Sequence, residues 1–84
     1  MRATGRILST GMQGTDVRYL HDDLERLEYM IPPQERKQAL FGPGTKRAVV
    51  QFQKGEFHSA TRATGVLDQA TANALHLAAT RYRK

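Results

Sequence analysis

A nine-residue pattern occurs twice in this chain, and it constrains the fold more than any other feature of the sequence. Residues 41–49 read Phe-Gly-Pro-Gly-Thr-Lys-Arg-Ala-Val, and residues 67–75 read Leu-Asp-Gln-Ala-Thr-Ala-Asn-Ala-Leu. At the second position, Gly or Asp suits a helix N-cap. The Thr at the fifth position is spaced so that its hydroxyl can bond the backbone of the cap residue, and the small Ala at the eighth position lets another helix approach closely. The repeat, which we call the helix-start cassette, therefore predicts two similar helix starts.

The spacing of apolar residues predicts three amphipathic helices. The first covers residues 15–28, where apolar side chains recur at intervals of three and four: Val17, Leu20, Leu24 and Leu27. The second begins in the first cassette and runs to residue 54, with Gly55 as its stop and a loop at 56–63. The third follows the N-cap Asp68 and frays near residues 80–83. Its apolar side comprises Ala74, Leu75 and either Ala78 or Leu77.

Two prolines interrupt the chain between the first two predicted helices. The residue before a proline is pushed away from helical geometry, so the first helix must end before Pro32. Pro33 suits the first position of a new helix, and an extra turn or two is predicted at 34–39. The fold class predicted from these features is an all-α three-helix bundle with short extra helical turns.

The charge of the chain is concentrated at its two ends. The 84 residues carry a formal net charge of +5. Five basic residues lie in the terminal segments: Arg2, Arg6, Arg81, Arg83 and Lys84. The remaining segment has eight basic and eight acidic residues. Because a phosphate-binding face needs a stripe of cations, no nucleic-acid partner is expected.

No constellation of residues predicts chemistry. There is no Cys, so neither a disulfide nor a thiolate metal site can form. The three histidines, His21, His58 and His76, lack the four-residue spacing of a helical zinc motif, and surface or half-buried imidazoles are expected. No metal, cofactor or catalytic activity is therefore predicted. No apolar run is long enough to span a bilayer, and no membrane partner is predicted.

Four segments of the chain, at residues 8–20, 27–29, 41–53 and 64–75, resemble in this order the peptidoglycan-binding domain family found in bacterial cell-wall hydrolases. Leu8 and Gly11 to Leu20 resemble its opening, and Leu27 with Tyr29 its "Leu-Gly-Tyr" segment. The central motif of the family is matched by Phe41-Gly42, Thr45, Ala48-Val49 and Phe52-Gln53. Its closing segment is matched by Thr64-Gly65, Asp68, Thr71 and Ala74-Leu75. The chain departs from the family at His21, where the family often has Gln, and at Glu28, where the family has Gly. The segments 31–40 and 54–63 are longer than usual.

The resemblance implies a three-helix domain with a pseudo-twofold repeat and no catalytic activity of its own. We expect a domain at residues 8–80 between a tail at 1–7 and a basic tail at 81–84. The expected partners are the glycan or stem peptides of peptidoglycan and a covalently linked neighbouring domain, with the domain itself monomeric. The expected location is the cell envelope, periplasmic or extracellular. Residues 1–10 lack the apolar region of a signal peptide, so an excised domain or a removed signal is expected.

The resemblance also leads to a predicted ligand groove and leaves alternatives open. The residues predicted to line the groove are Tyr29, Phe41, Thr45, Arg47, Gln53 and Thr71. Phe41 and Thr71 have an equally good structural interpretation, and Gln53 has one as a tie between loops. The alternative functions are a protein-docking domain on the same fold, suggested by the longer segments, and a helical nucleic-acid binder, suggested only by the net charge.

Overall fold

A computed structural model of the chain describes residues 7–58 and 63–82, and within these residues the chain forms four helices. α1 spans Thr15–Arg26, α2 spans Pro33–Gln38, α3 spans Pro43–Phe57 and α4 spans Gln69–Arg81. The three longer helices α1, α3 and α4 pack against one another in every pair, and α2 lies in the connection between α1 and α3. The all-α bundle of three helices with a short extra helix is confirmed.

The core lies between the inner faces of the three longer helices. Its wholly or nearly buried apolar residues come from the three longer helices and from the segments that precede each of the four helices: Leu8, Val17, Leu20, Leu24, Ile31, Phe41, Ala48, Val49, Phe52, Leu67, Ala72, Leu75 and Ala79. On α4 the predicted Leu75 is buried and the predicted Ala74 and Ala78 pack against the core, whereas Leu77, the alternative to Ala78, is 51% exposed. The buried Ala72 and Ala79 complete this side of the helix. The small side chains of α4 let this helix lie close to α1 and α3.

The segment before α1 joins the two cassettes. Leu8 and Leu67 exchange backbone hydrogen bonds of 3.1 and 2.8 Å. A few residues on, the Phe41 N–H donates to the Met12 carbonyl and the Gly11 N–H donates to the Phe41 carbonyl, both at 2.8 Å. Each cassette therefore begins with an apolar residue that is buried and tied through its backbone to the same N-terminal segment.

Three helices end at non-glycine residues with left-handed backbone. These residues are Glu28, Ala39 and His58, with φ of 70°, 50° and 53°. α1 ends at Arg26, two residues before its predicted end at residue 28. α3 ends at Phe57, three residues after its predicted end at residue 54. Gly55 does not stop α3, because glycine in an exposed helix costs only about 1 kcal/mol relative to Ala and the half-buried Phe57 continues the packing. Of the predicted 56–63 loop, residues 59–62 lie outside the described residues.

Arg36 holds α2 against α1. Its guanidinium forms ion pairs with Asp22 and, at 3.1 Å, with Glu25, and it donates to the Arg18 carbonyl at 3.2 Å. These contacts fix the position of α2, and with it the position of Glu35, the neighbouring residue that faces the interior.

Candidate functional site

The start of α3 is capped by a carboxylate from another helix. Glu35 of α2 is buried, and its Oε1 accepts hydrogen bonds from the Thr45 N–H at 2.8 Å and the Thr45 hydroxyl at 2.7 Å. Its Oε2 accepts from the Gly44 N–H at 3.0 Å. A carboxylate at this position satisfies N–H groups that have no partner within the helix and suits the positive end of the helix dipole.

The two glycines of the first cassette make room for this cap. A Cβ added at Gly42 would lie 2.6 Å from Cδ of Glu35, and one added at Gly44 would lie 2.2 Å from Cγ of Pro32. The Gly-Pro-Gly sequence therefore reflects close packing of α2 and its preceding proline on the start of α3. The predicted bond between the cassette Thr and its own cap gives way here to a bond between Thr45 and Glu35.

His21 lies in the interior beside this cap, which corrects the expectation of a surface or half-buried imidazole. Its side chain is fully buried, and its Nε2 lies 2.8 Å from the Thr45 hydroxyl oxygen. Because the single proton of that hydroxyl goes to Glu35, Nε2 of His21 is the donor and the neutral ring leaves Nδ1 unprotonated. In the described part of the chain, Nδ1 has no hydrogen-bond partner.

The surroundings shift the pKa values of both His21 and Glu35 downward. Burial lowers the pKa of His21, and the positive charge of Arg36 lowers it further, against the opposing effects of Glu35, the Leu40 carbonyl and Asp22. Burial by itself raises the pKa of Glu35, but the hydrogen bonds from Thr45, Gly44 and Gly42 outweigh it and hold this pKa below its ordinary value. The site therefore favours a neutral imidazole and an ionised carboxylate.

The start of α4 has an equivalent arrangement, in which the buried polar residue that bonds the cassette Thr is a neutral amide. Asp68 caps its own helix, with Oδ1 accepting from the Thr71 N–H at 2.8 Å. Nε2 of the buried Gln53 donates to the Val66 carbonyl at 2.9 Å and to the Thr71 hydroxyl at 3.0 Å, and its Oε1 accepts from the Gly65 N–H at 2.9 Å. Gln53 thus ties the loop before α4 to α3, as the structural interpretation predicted.

The six residues predicted to line a groove fall into two groups. Phe41, Thr45, Gln53 and Thr71 are at most 1% exposed and take part in core packing or in the hydrogen bonds just described. Direct ligand contact by these four stays a prediction, and their surroundings give each a structural role. The other two, Tyr29 and Arg47, lie together on one surface cleft.

This cleft, which we call the Tyr29 cleft, has a volume of about 490 Å³. One wall is the segment 28–33 after α1, and the other consists of Gly44, Arg47, Ala48 and Gln51 on one side of α3. The volume is within the ~300–1000 Å³ range of small-ligand pockets. The walls combine apolar side chains with a carboxylate, a guanidinium, a phenol and an amide.

Tyr29 also borders a second, smaller cleft. That cleft has a volume of about 300 Å³ and is lined by the end of α3, Leu27 of the α1 terminus and Ala78 of α4. Burial raises the pKa of the Tyr29 phenol, so the group remains a neutral hydrogen-bond donor. Tyr29 therefore stands between two concave surfaces that a long ligand could cover together.

Sequence reasoning missed several residues of the Tyr29 cleft, including Glu28, Met30, Pro32 and Gln51. For Glu28 a signal was available, because it replaces the glycine of the "Leu-Gly-Tyr" segment and the structure gives it the backbone conformation that glycine favours. Met30 and Gln51 carry no comparable sequence signal, because their position on the cleft depends on how α1 and α3 pack.

Two absences apply to the part of the chain that the structure describes. None of its helices is both long and apolar enough to cross a bilayer. Within residues 7–58 and 63–82, no group of three His, Cys, Asp or Glu side chains is arranged to hold a metal ion.

Comparison with known proteins agrees with the sequence resemblance. Residues 13–75 match the model of the family described as "Putative peptidoglycan binding domain". No curated protein and no solved structure matches the chain. The matched residues include all four helix starts, both cassettes, and both walls of the Tyr29 cleft. The match covers well over half of the chain, which therefore belongs to the peptidoglycan-binding domain family.

Proposed function

We propose that this chain is a non-catalytic module that anchors a larger protein to the peptidoglycan of a bacterial cell envelope, and that it binds through the Tyr29 cleft. The observation that carries the proposal is the position of the cleft in the family-matched region, with Tyr29 and Arg47 on its walls. In this proposal the domain comprises residues 8–80 and acts as a monomer attached to a neighbouring domain.

The chemistry of the Tyr29 cleft supports a polar polymer with apolar portions. Peptidoglycan presents sugar hydroxyls and N-acetyl groups as well as peptide carboxylates and amines. Arg47 and Gln51 are exposed donors on α3, and Tyr29 adds a phenol hydroxyl. A cleft with a few polar groups between apolar walls is the usual form of a specific binding site.

Co-sedimentation with purified sacculi tests the proposal. We expect the wild-type chain to pellet with sacculi over a range of salt concentrations and the Arg47→Ala, Gln51→Ala double variant to pellet less. Arg18→Ala is the matched control, because Arg18 is an exposed arginine of α1 away from the Tyr29 cleft. Circular dichroism of each variant checks that the helices are intact.

Two results would overturn parts of the proposal. A wild-type chain that stays in the supernatant at every salt concentration contradicts wall binding. In that case, a pull-down that retains a protein partner supports the docking alternative. Equal pelleting by the wild type, the double variant and Arg18→Ala contradicts the assignment of binding to the Tyr29 cleft and leaves wall binding in place.

A further inference from the structure

Gly55 lies inside α3, where neither the backbone nor the packing of the helix requires a glycine. α3 continues to Phe57, and its left-handed end falls at His58. The backbone of Gly55 is outside the left-handed region, and a Cβ added to it would have no neighbour within 4 Å among the described residues. Because glycine weakens a helix relative to alanine, the fold alone gives no reason for a glycine at this position.

Other glycines of the domain do have a structural reason. A Cβ at Gly44 would collide with Pro32, and Gly65 has a φ of 77°, which a side chain disfavours. Gly55 shares neither feature. Glycine also occurs where a ligand lies directly against the backbone, and a ligand site beside Gly55 would account for it.

Gly55 borders the smaller of the two clefts described above, which has a volume of about 300 Å³ and which we call the Gly55 cleft. In a helix the Cα–Cβ direction points away from the helix axis, so a side chain at position 55 would stand on the surface that borders this cleft. The glycine leaves that surface open.

Both clefts lie along one face of α3 and share Tyr29. The α3 residues that border them recur at intervals of three and four, which places them on one side of the helix: Gly44, Arg47, Ala48, Gln51, Phe52 and Gly55. From residue 44 to residue 55 this face is about 16 Å long, at a rise of about 1.5 Å per residue. Tyr29 borders both clefts and is half-buried. The two clefts therefore stand in a row along α3, with room for more than one unit of a polymer.

The chemistry of the two clefts is similar on either side of Tyr29. The walls of the Gly55 cleft are mostly apolar, and the exposed Glu56 and His58 also border it. The Tyr29 cleft likewise combines apolar side chains with the exposed Arg47 and Gln51. A sugar ring has apolar C–H faces and a polar edge of hydroxyls, which suits such walls and the aromatic ring between them. A polymer of repeating sugars presents this chemistry to both clefts at once, whereas a stem peptide consists of unlike residues.

We infer that the glycan strand of peptidoglycan runs along α3 through both clefts, passing Tyr29 and lying against the bare backbone of Gly55. This inference rests on the proposed function, since it names the part of the wall polymer that is bound and adds a second subsite to the Tyr29 cleft. The observation that carries it is a glycine that α3 does not need, at the border of a cleft that meets the proposed site.

Calorimetric titration with glycan oligomers of different length tests the inference. The probes are peptide-free disaccharide and octasaccharide fragments of the peptidoglycan glycan, and affinities are compared per disaccharide to remove the gain from multiple binding registers. We expect the wild type to bind the octasaccharide at least about tenfold more tightly than the disaccharide, because two linked subsites act together. Gly55→Gln, which places a side chain at the Gly55 cleft, should lose most of this gain and bind the disaccharide as the wild type does.

Ala70→Gln is the matched control, because it adds the same side chain at an exposed position of α4 that borders neither cleft. This variant should keep the full gain with length. Gly55→Gln should also raise the Tm by a few degrees through helix propensity, so a loss of binding in this variant does not come from unfolding.

Three results overturn the inference. The first is equal affinity of the wild type for both oligomers per disaccharide, and the second is the same gain with length in Gly55→Gln as in the wild type. The third is binding of a synthetic stem tetrapeptide without binding of either oligomer. Sacculus binding by the wild type is measured in parallel. If it persists beside any of these results, the proposed function stands and only the glycan subsite fails, whereas its absence contradicts wall binding itself.

Discussion

The two helix starts of this domain share a sequence pattern but differ in the source of their cap. At α4 the cap residue Asp68 supplies its own carboxylate to the N–H of Thr71. At α3 the cap residue is Gly42, and the carboxylate comes from Glu35 on a separate helix. The first arrangement is local in sequence, whereas the second needs α2 to be packed in place.

The polar residue that holds each cassette Thr also differs between the two halves. Gln53 bonds the Thr71 hydroxyl and the carbonyl before the second cassette. His21 occupies the same relation to the first cassette, next to the Thr45 hydroxyl and the Leu40 carbonyl. The difference teaches that one architecture can be held by a neutral amide or by a titratable ring, and that of these two groups only the ring can itself take up a proton in mild acid.

The largest expected effect is the loss of the distant cap. Glu35→Ala should lower the free energy of unfolding by about 3 kcal/mol, because it leaves buried backbone N–H groups and the Thr45 hydroxyl without their acceptor. Asp68→Ala, the matched change at the other helix start, should cost about 1 kcal/mol, the usual value for an exposed N-cap. Chemical denaturation measures both. Equal losses would contradict the distinction between a distant buried cap and a local exposed one.

A smaller effect is expected from crowding the start of α3. Gly44→Ala should destabilise the domain by about 2 kcal/mol, because its Cβ meets Pro32 and forces the chain apart. The control is Gly55→Ala, also in α3, where a Cβ has no neighbour within 4 Å. That change should stabilise the domain by up to ~1 kcal/mol through helix propensity. Thermal unfolding of the two variants should therefore shift in opposite directions, and a loss in both would refute the packing argument.

The titratable ring of His21 predicts a loss of stability in mild acid. Because the folded state lowers the pKa of His21 below its ordinary value of 6.5, the unfolded chain binds a proton that the folded chain does not. Stability should therefore be unaffected by this group above pH 6.5 and should fall as the pH drops below it, by at most ~1.4 kcal/mol per pH unit.

His21→Gln, which copies the residue of the other half, should flatten this dependence between pH 7 and pH 5. Glu35 acts in a separate range: its pKa is held below the ordinary value of 4.5, so its contribution is present above pH 4.5 and is lost as the pH falls below it. Urea unfolding across the pH range measures the contributions of His21 and Glu35. If the free energy of unfolding of His21→Gln falls with pH between 7 and 5 as steeply as that of the wild type, the loss of stability in mild acid does not come from His21.

The smallest effect concerns the end of α2. Ala39 has φ 50° and ψ 44°, a left-handed conformation that costs a residue with a Cβ more than glycine. Ala39→Gly should stabilise the domain by about 0.5 kcal/mol, which is the strain relieved less the added freedom of the unfolded chain. Thermal unfolding at fixed pH resolves such a shift. A destabilised variant would mean that the half-buried methyl group contributes more by packing than the backbone strain removes.

The residues of the candidate binding surface were only partly predictable from the sequence, for a physical reason. Tyr29 and Arg47 were predicted and lie together on the cleft, whereas Thr45 and Thr71 were predicted in the same way and are buried. A polar residue in a family motif can serve either ligand or fold, and the sequence does not say whether its hydroxyl meets water or a buried acceptor. That distinction depends on contacts between segments far apart in the chain.

What the sequence by itself determined was local: the start of each helix, the inner face of α1, and the short helix after the two prolines. These follow from caps, proline geometry and apolar spacing, which act within a few residues. Only the tertiary structure decided that Glu35 caps α3, that His21 is buried beside it, and that Tyr29 and Arg47 border one cleft. Each of these depends on how separate helices pack, because burial and charge pairing are set by neighbours in space rather than along the chain.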